Sequence, residues 1–546
     1  MAMVNGSEIL ARALRRHRVE TMFYIMGGPM MAAETACMEE GIRSIDVRHE
    51  QAAAMMAHAY GRLLNTAGVC MAASGPGTTN LVTGVANAWA DCAPLVAIGG
   101  SSPVSQLGRG AFQEMDQVAL FKPITKWSER CLDPKRVPEL VSTAFREALG
   151  GRPGPVYLDM PGDVLYKQVE EAEVYYPDPE RSLARSRPVG DPEAVREAIR
   201  LLHRAERPVL ISGSGILWSG ASAELRRWVE LAGLPFYTTP QGRGVVADDH
   251  ELSFPGARST AFREADLFMV IGTRLNYVIG HLSPPRFPAN AKLIQVDIEA
   301  AEIGHNRPVD VGIIGDAKAV LGQLAEATDG RLDSARYAAW RDHLRQIEAR
   351  KKQEAEEAMS TDQQPIHPLR LCKEVRDFLD RDAVLVVDGQ EILNYGRQSI
   401  PTFEPGHRLN SGPFGTMGVG LPFGLGAKVA KPDKQVLVLH GDGSFGLNAM
   451  ELDTAARHNI PVLTVISLNG GWTADPDRNK PGRDLGYTAF HKMAESLGCF
   501  GEYVEDPADI RPALQRAHDS GRPAVVNVVT DWRARATTTA FAVYST

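Results

Sequence analysis

The segment from Val436 to Gly471 constrains the fold most. An apolar run, Val436 to Leu439, breaks at Gly441-Asp442-Gly443, a helical pattern follows, and a second apolar run, Val462 to Ser467, ends at Asn469-Gly470-Gly471. Two apolar strands bracketing a helix form a βαβ unit, which belongs to a parallel sheet with a right-handed crossover. The crossover brings both strand ends to one sheet edge, so Asp442 and Asn469, 27 positions apart, are expected side by side. A carboxylate and an amide oxygen are hard ligands of the kind Mg²⁺ takes when a diphosphate completes its shell. Gly441 and Gly443 admit close backbone approach to phosphates, and a helix starting near Ser444 offers amide N–H groups to negative charge. An isolated GDG is usually only a tight turn; its spacing to Asn469 and the residues elsewhere give it chemical weight.

The same strand-helix alternation recurs along all 546 residues. The expected fold class is therefore α/β, with three doubly wound parallel-sheet domains. The first spans residues 1–170. A charged, Pro-rich stretch from Glu170 to Asp191 reads as an exposed linker to the second, residues 190–330. A charged helical stretch, Ala335 to Met359, leads to the third, residues 365–546. The chain start is expected to enter an amphipathic helix directly.

Candidate site residues fall at strand ends and loops. Glu50 follows a strand end, Val47-Arg48-His49, and opens a helix as apolar as AAAMMAHAYG, poor solvent in which a carboxyl can relay protons. A Gly/Pro loop, Ser74 to Asn80, leads into another helix, and Phe112-Gln113 follow a Gly/Ser-rich loop of the type that carries active-site side chains. In the second domain a strand runs into Gly213-Ser214-Gly215, where Trp218 stands in place of the third glycine of a dinucleotide fingerprint. Arg274 and Asp297 end later strands and suit a phosphate and a ribose, or simply a surface ion pair. In the third domain Gly389-Gln390-Glu391 follow a strand, and Met417 lies among glycines from Gly415 to Gly420. Beyond the strand Ala524 to Val529, the Thr-rich tail carries Arg533 and Arg535. It reads either as a frayed end or as a lid whose arginines meet phosphates.

A net charge of -8 and a pI near 6.0 argue against nucleic acid or an anionic membrane as the main partner. The six cysteines lie apart without a CxxC, which suggests buried thiols in a reducing cytoplasm rather than zinc or disulfides. No signal-peptide core or membrane-spanning apolar run is present.

With Glu50 in the first domain, a nucleotide-like second domain and GDG…Asn469 in the third, nearly the whole chain resembles the thiamine diphosphate enzymes of the acetolactate synthase and pyruvate decarboxylase type. One departure is Leu468, where the family usually has a first Asn; the ligand position itself keeps Asn469. The resemblance implies thiamine diphosphate and Mg²⁺, with Asp442, Asn469 and the Gly471 carbonyl on the metal. It implies cofactor contacts from Gly75, Pro76, Asn80, Gly389, Gln390, Glu391, Gly415, Gly441, Gly443, Ser444 and Trp472, with Met417 bending the cofactor and Glu50 activating it. It further implies a homodimer or homotetramer in which Glu50 and the diphosphate site come from different subunits.

Within the group, GARSTAFREADLFMVIGTRLNYVIGHLSPPR…LIQVDI looks like 2-hydroxyacyl-CoA lyase and oxalyl-CoA decarboxylase. FPGA at Phe254 to Ala257 replaces the GMHG-like flavin segment of acetolactate synthases, which argues against FAD. An ADP or CoA nucleotide is the candidate occupant of the central domain. Phe112-Gln113 and Thr473 stand where the decarboxylase is expected to show Tyr-Glu and Tyr, and Trp472 reshapes the pocket. The expected activity is cleavage or formation of a 2-hydroxyacyl-CoA, giving formyl-CoA and an aldehyde or ketone, acetone from 2-hydroxyisobutyryl-CoA being one instance. Glu50, Gln113 and Phe112 are the expected catalytic residues. Oxalyl-CoA decarboxylation, an acetolactate synthase-like carboligation and a noncatalytic binding role stay open as alternatives.

Overall fold

The computed structural model describes residues 2–183, 186–328, 333–472, 479 and 481–536. Three wholly parallel sheets carry the fold, their inner strands short apolar runs buried on both faces and their edge strands, such as Arg43–Asp46, Ser128–Arg130 and Phe500–Val504, more polar and more exposed. The first sheet has the order Arg43–Asp46, Thr21–Tyr24, Gly68–Ala72, Leu95–Ser101, Pro155–Pro161, Ser128–Arg130. The third has the order Arg408–Leu409, Val384–Asp388, Val436–Gly441, Leu463–Leu468, Ala524–Val529, Phe500–Val504. Numbered within each sheet, both run 2-1-3-4-6-5, so the chain builds the same six-stranded layer twice. Between them lies a five-stranded sheet, Phe236–Thr238, Pro208–Ser212, Leu267–Ile271, Lys292–Asp297, Val311–Ile314.

In every sheet the order reverses between strands 1 and 3, and loops leaving such a pair diverge to opposite faces and open a crevice. In the first sheet that crevice is flanked by Gly28 and Ser74, whose amide donates to the Gly28 carbonyl at 3.2 Å. In the third sheet it is flanked by Gly389 and Gly441-Asp442.

The two six-stranded units pack through the helices Glu50–Leu64 and Gly420–Ala430, which share one hydrophobic core. Contact is close enough that a Cβ at Gly426 would lie 2.3 Å from the Met56 carbonyl oxygen.

Two local expectations change. The chain start forms a strand, Met3–Asn5, before the helix Gly6–Arg16, and pairs antiparallel with Gln168–Glu170. The stretch after Glu170 is correspondingly not all open linker: it turns through the short helices Glu171–Glu173 and Pro179–Ser182. Cys37, Cys70, Cys131, Cys372 and Cys499 are buried free thiols, and Cys92 is half-buried. No described helix is long and apolar enough to cross a membrane.

Candidate active site

The crevice of the third sheet holds a cavity of about 290 Å³. The strand Val436–Gly441 ends at the GDG turn, and the helix Asp442–Leu447 begins on Asp442 itself, two residues before the expected start. Parallel register sets Gly441 beside Ser467, so Asp442 and Asn469 emerge together. Asp442 Oδ1 accepts the Gly443 amide at 2.8 Å and Oδ2 the Gly470 amide at 2.7 Å, while Asn469 Oδ1 accepts the Gly471 amide at 3.1 Å. Burial pushes the Asp442 carboxyl up to about 6 against the pull of these amides.

Gly389, Gln390, Glu391, Met417, Ser444, Gly471 and Trp472 complete the predicted lining. Asp388, just below, accepts the Gly418 and Gly420 amides at 2.9 Å each and so fixes the loop carrying Met417. Burial raises that carboxyl to about 6 and lowers its neighbour His440 to about 3.

The donor set suits a diphosphate and a hard cation. Among the described residues no cluster of three or more His, Cys, Asp or Glu side chains forms a metal cage, so a cation at Asp442 and Asn469 needs oxygens from a ligand. Two of the glycines let the cavity wall close tightly. A Cβ at Gly443 would meet the Trp472 ring at 2.7 Å, and one at Gly471 the Arg483 carbonyl oxygen at 2.6 Å.

Sequence reading missed part of this wall. Pro368, Ser467, Gly482, Arg483, Asp531 and Ala534 also line the cavity. Arg483 arrives because 483–485 fold back on 470–472, with Trp472 N donating to Arg483 O at 2.8 Å and Leu485 N to Gly470 O at 2.9 Å. No periodicity signals that return. Asp531 had a signal, since it follows the strand Ala524–Val529 at the same sheet edge.

A second cluster sits on the first sheet. Glu50 opens the helix Glu50–Leu64, and its Oε2 accepts Asn80 Nδ2 at 2.9 Å. Oε1 faces Gly77, where even a Cβ would stand 3.3 Å away. Gly75 and Pro76 start the adjoining turn; Gly75 N donates to Gln117 Oε1 at 2.7 Å. Gln113, held at φ 58°, accepts Ser74 Oγ at 2.5 Å, and Phe112 is 84% exposed. The chain thus brings Glu50, Gly75, Pro76, Asn80 and Gln113 together. It does not bring them to the diphosphate cavity, whose lining comes wholly from residues 368–534.

A cleft of about 2860 Å³ runs along the carboxyl edge of the central sheet. Ser214, Gly215, Arg274 and Asp297 line it, and burial raises Asp297 to about 6. Gly213 does not line it. A Cβ there would lie 2.3 Å from Thr273, so this glycine serves packing of the two switch-point loops. Arg274 donates to the Ala90 carbonyl. Gly415 lies on this cleft rather than in the diphosphate cavity, two residues from Met417.

At the cleft floor stand four arginines that sequence reading also missed, Arg243, Arg258, Arg286 and Arg397. Arg243 pairs with Asp248 through Nε at 3.0 Å. Arg258 Nε and Arg397 Nε are buried without a hydrogen-bond partner. Burial, together with Arg286, Arg243 and Arg397, lowers Arg258 to about 10.

Arg533 and Arg535 line neither cavity. Arg533 stacks on Trp532, and Arg535 Nη1 donates to the Trp532 and Ala534 carbonyls. The tail instead crosses the rim of the diphosphate cavity, where Ala536 N donates to Glu391 Oε2 at 2.8 Å. The rest of the expected lid, residues 537–546, and Thr473 lie outside the described residues.

Comparison with known proteins follows the same three units. Residues 4–120 match the thiamine pyrophosphate enzyme N-terminal TPP binding domain, 195–324 the central domain, and 393–528 the C-terminal TPP binding domain. A 2-hydroxyacyl-CoA lyase of Arabidopsis thaliana is 34% identical over 97% of this chain and 96% of its own. An oxalyl-CoA decarboxylase of Escherichia coli is 34% identical at the same coverage of both. A probable acetolactate synthase of Mycobacterium bovis is 35% identical, again over 97% of this chain and 96% of its own.

Proposed function

Because the chain belongs to the acetolactate synthase-like family of thiamine diphosphate enzymes, as its three matched domains and full-length relatives show, we propose that it is a 2-hydroxyacyl-CoA lyase. It cleaves, or in reverse forms, the bond between the thioester carbonyl carbon and the hydroxyl-bearing carbon, giving formyl-CoA and an aldehyde or ketone. When bound, thiamine diphosphate supplies a nucleophilic carbon and an electron sink for that cleavage. Asp442, Asn469 and the Gly471 carbonyl would hold Mg²⁺, and the glycines of the GDG turn would receive the diphosphate. Glu50 would hold the exchangeable proton at Oε1, the oxygen to which Asn80 does not donate. Gln113 orients the thioester or hydroxyl, with Phe112 beside it on the same exposed loop. An ADP or CoA nucleotide occupies the central cleft at Ser214, Arg274 and Asp297. Since Glu50 stands outside the diphosphate cavity of its own chain, the working site combines Glu50 of one copy with Asp442 of a second.

The observation that carries the CoA reading is the arginine floor of the cleft. Four guanidinium groups crowded at one partly desolvated wall repel one another, and phosphate oxygens in the cleft would offset that cost best. Three phosphates of a CoA thioester match four arginines, and the cleft continues through Gly412 and Gly415 to the loop bearing Met417. Oxalyl-CoA would fit the same phosphate floor; a small 2-oxo acid would not use it.

Arg258→Ala and Arg397→Ala should each raise the acyl-CoA KM about tenfold or more while leaving kcat within a few-fold, the worth of a lost charge-assisted hydrogen bond. Unchanged KM in both variants would remove the arginines from substrate binding and the CoA reading with them.

A further inference from the structure

Glu50 opens a helix of the first unit, yet the turn leading to it is held from the third. The Glu451 carboxylate, 1% exposed, accepts Arg48 N through Oε1 at 3.0 Å and through Oε2 at 3.3 Å. Oε1 also accepts His49 N at 3.1 Å, and Oε2 accepts Thr454 Oγ1 at 2.7 Å. Three residues earlier, Asn448 Oδ1 accepts Gln51 Nε2 at 2.9 Å, while its Nδ2 donates to the Gly418 carbonyl at 2.6 Å. Asn448 and Glu451 follow directly on the helix Asp442–Leu447. They therefore grip residues 48–51 from the edge of the diphosphate site.

The physical need is specific. Arg48 and His49 precede the helix, so their amides have no intrahelical acceptor and must find one elsewhere. A buried carboxylate is itself costly unless several donors meet it. Burial indeed raises this one to about 7. The fold accepts a titratable group in its core, and what that group fixes is the backbone of the two residues before Glu50.

We propose that Glu451, seconded by Asn448, is the positioning device for Glu50: it sets the helix entry so that Glu50 Oε1 points at the cofactor ring. Asn448 ties the same entry to Gly418, next to Met417, so the clamp links the proton donor one chain gives to one site with the Met417 loop that the same chain gives to the other. This rests on the reading that Glu50 activates thiamine diphosphate.

The measurement is hydrogen–deuterium exchange at the thiazolium carbon of thiamine diphosphate bound with Mg²⁺ to the full-length enzyme, read by quenched-flow NMR. Calorimetry gives the cofactor Kd in parallel. Glu451→Ala should slow exchange about tenfold or more with Kd within about twofold, and should slow it no further on a Glu50→Gln background. Glu451→Gln should restore near wild-type exchange, because its Oε1 can accept both amides while Nε2 donates to Thr454. Asn448→Ala, which removes no buried charge, should slow exchange in the same manner. Wild-type exchange in both Ala variants with cofactor bound would overturn the assignment. So would an equal slowing by Glu451→Ala in the Glu50→Gln protein, since the clamp would then act elsewhere. Wild-type exchange in Glu50→Gln alone would instead overturn the underlying reading of Glu50.

Discussion

At the scale of single residues, the fold tolerates buried carboxyls where they hold backbone amides, as Asp388, Asp442 and Glu451 do. Glu34 is different. It is 2% exposed, neither oxygen has a hydrogen-bond partner, and burial pushes its carboxyl up to about 8. A folded-state value above the unfolded one means that the folded protein holds the proton more tightly. The stability this proton confers is full below the ordinary carboxylate range and is lost as pH rises toward 8. Glu34→Gln carries no such liability. Its apparent melting temperature should match the wild type near pH 5 and exceed it by about 2–4 °C at pH 8. A difference independent of pH in scanning calorimetry would show that Glu34 does not titrate in this way.

At the scale of elements, what was legible was what local pattern dictates. The strands Val384–Asp388 and Ala524–Val529 and the unit around Asp442 are short apolar runs bounded by Gly or Asp, and a parallel sheet leaves little choice about where their ends go. The helix Glu50–Leu64 was legible from its Ala/Met face. What was not legible depends on returns of the chain from far away. Arg483 reaches the cavity by pairing across 470–472, and the arginine floor gathers Arg243, Arg258, Arg286 and Arg397 from separate elements with no common period. The course of the tail was not legible for a related reason. Arg533 and Arg535 suggested a phosphate lid, but Ala536 on Glu391 steers the segment across the diphosphate rim, and the arginines turn to Trp532 and backbone carbonyls. Gly213 looked like a nucleotide glycine and is a packing glycine, because Thr273 occupies the place of its missing Cβ.

At the scale of the whole molecule, two six-stranded layers of identical order carry the two clusters, one with Glu50 and one with Asp442, which on the proposed reading are halves of a site. A symmetric pair of chains would make two complete sites from these halves. Glu50→Gln and Asp442→Ala proteins should each be inactive. Subunit exchange between them should recover about a quarter of wild-type activity, since half the pairs are mixed and each holds one intact site. No recovery after proven exchange would place both residues in a single-chain site. The claim on which everything converges is the reaction itself, and it is tested most directly by offering the enzyme a panel of 2-hydroxyacyl-CoAs, oxalyl-CoA and pyruvate and separating the products by chromatography. The account predicts formyl-CoA with the matching aldehyde or ketone from a 2-hydroxyacyl-CoA, only when thiamine diphosphate and Mg²⁺ are both supplied. Carbon dioxide from oxalyl-CoA alone, or acetolactate from pyruvate with no formyl-CoA from any thioester, would contradict it.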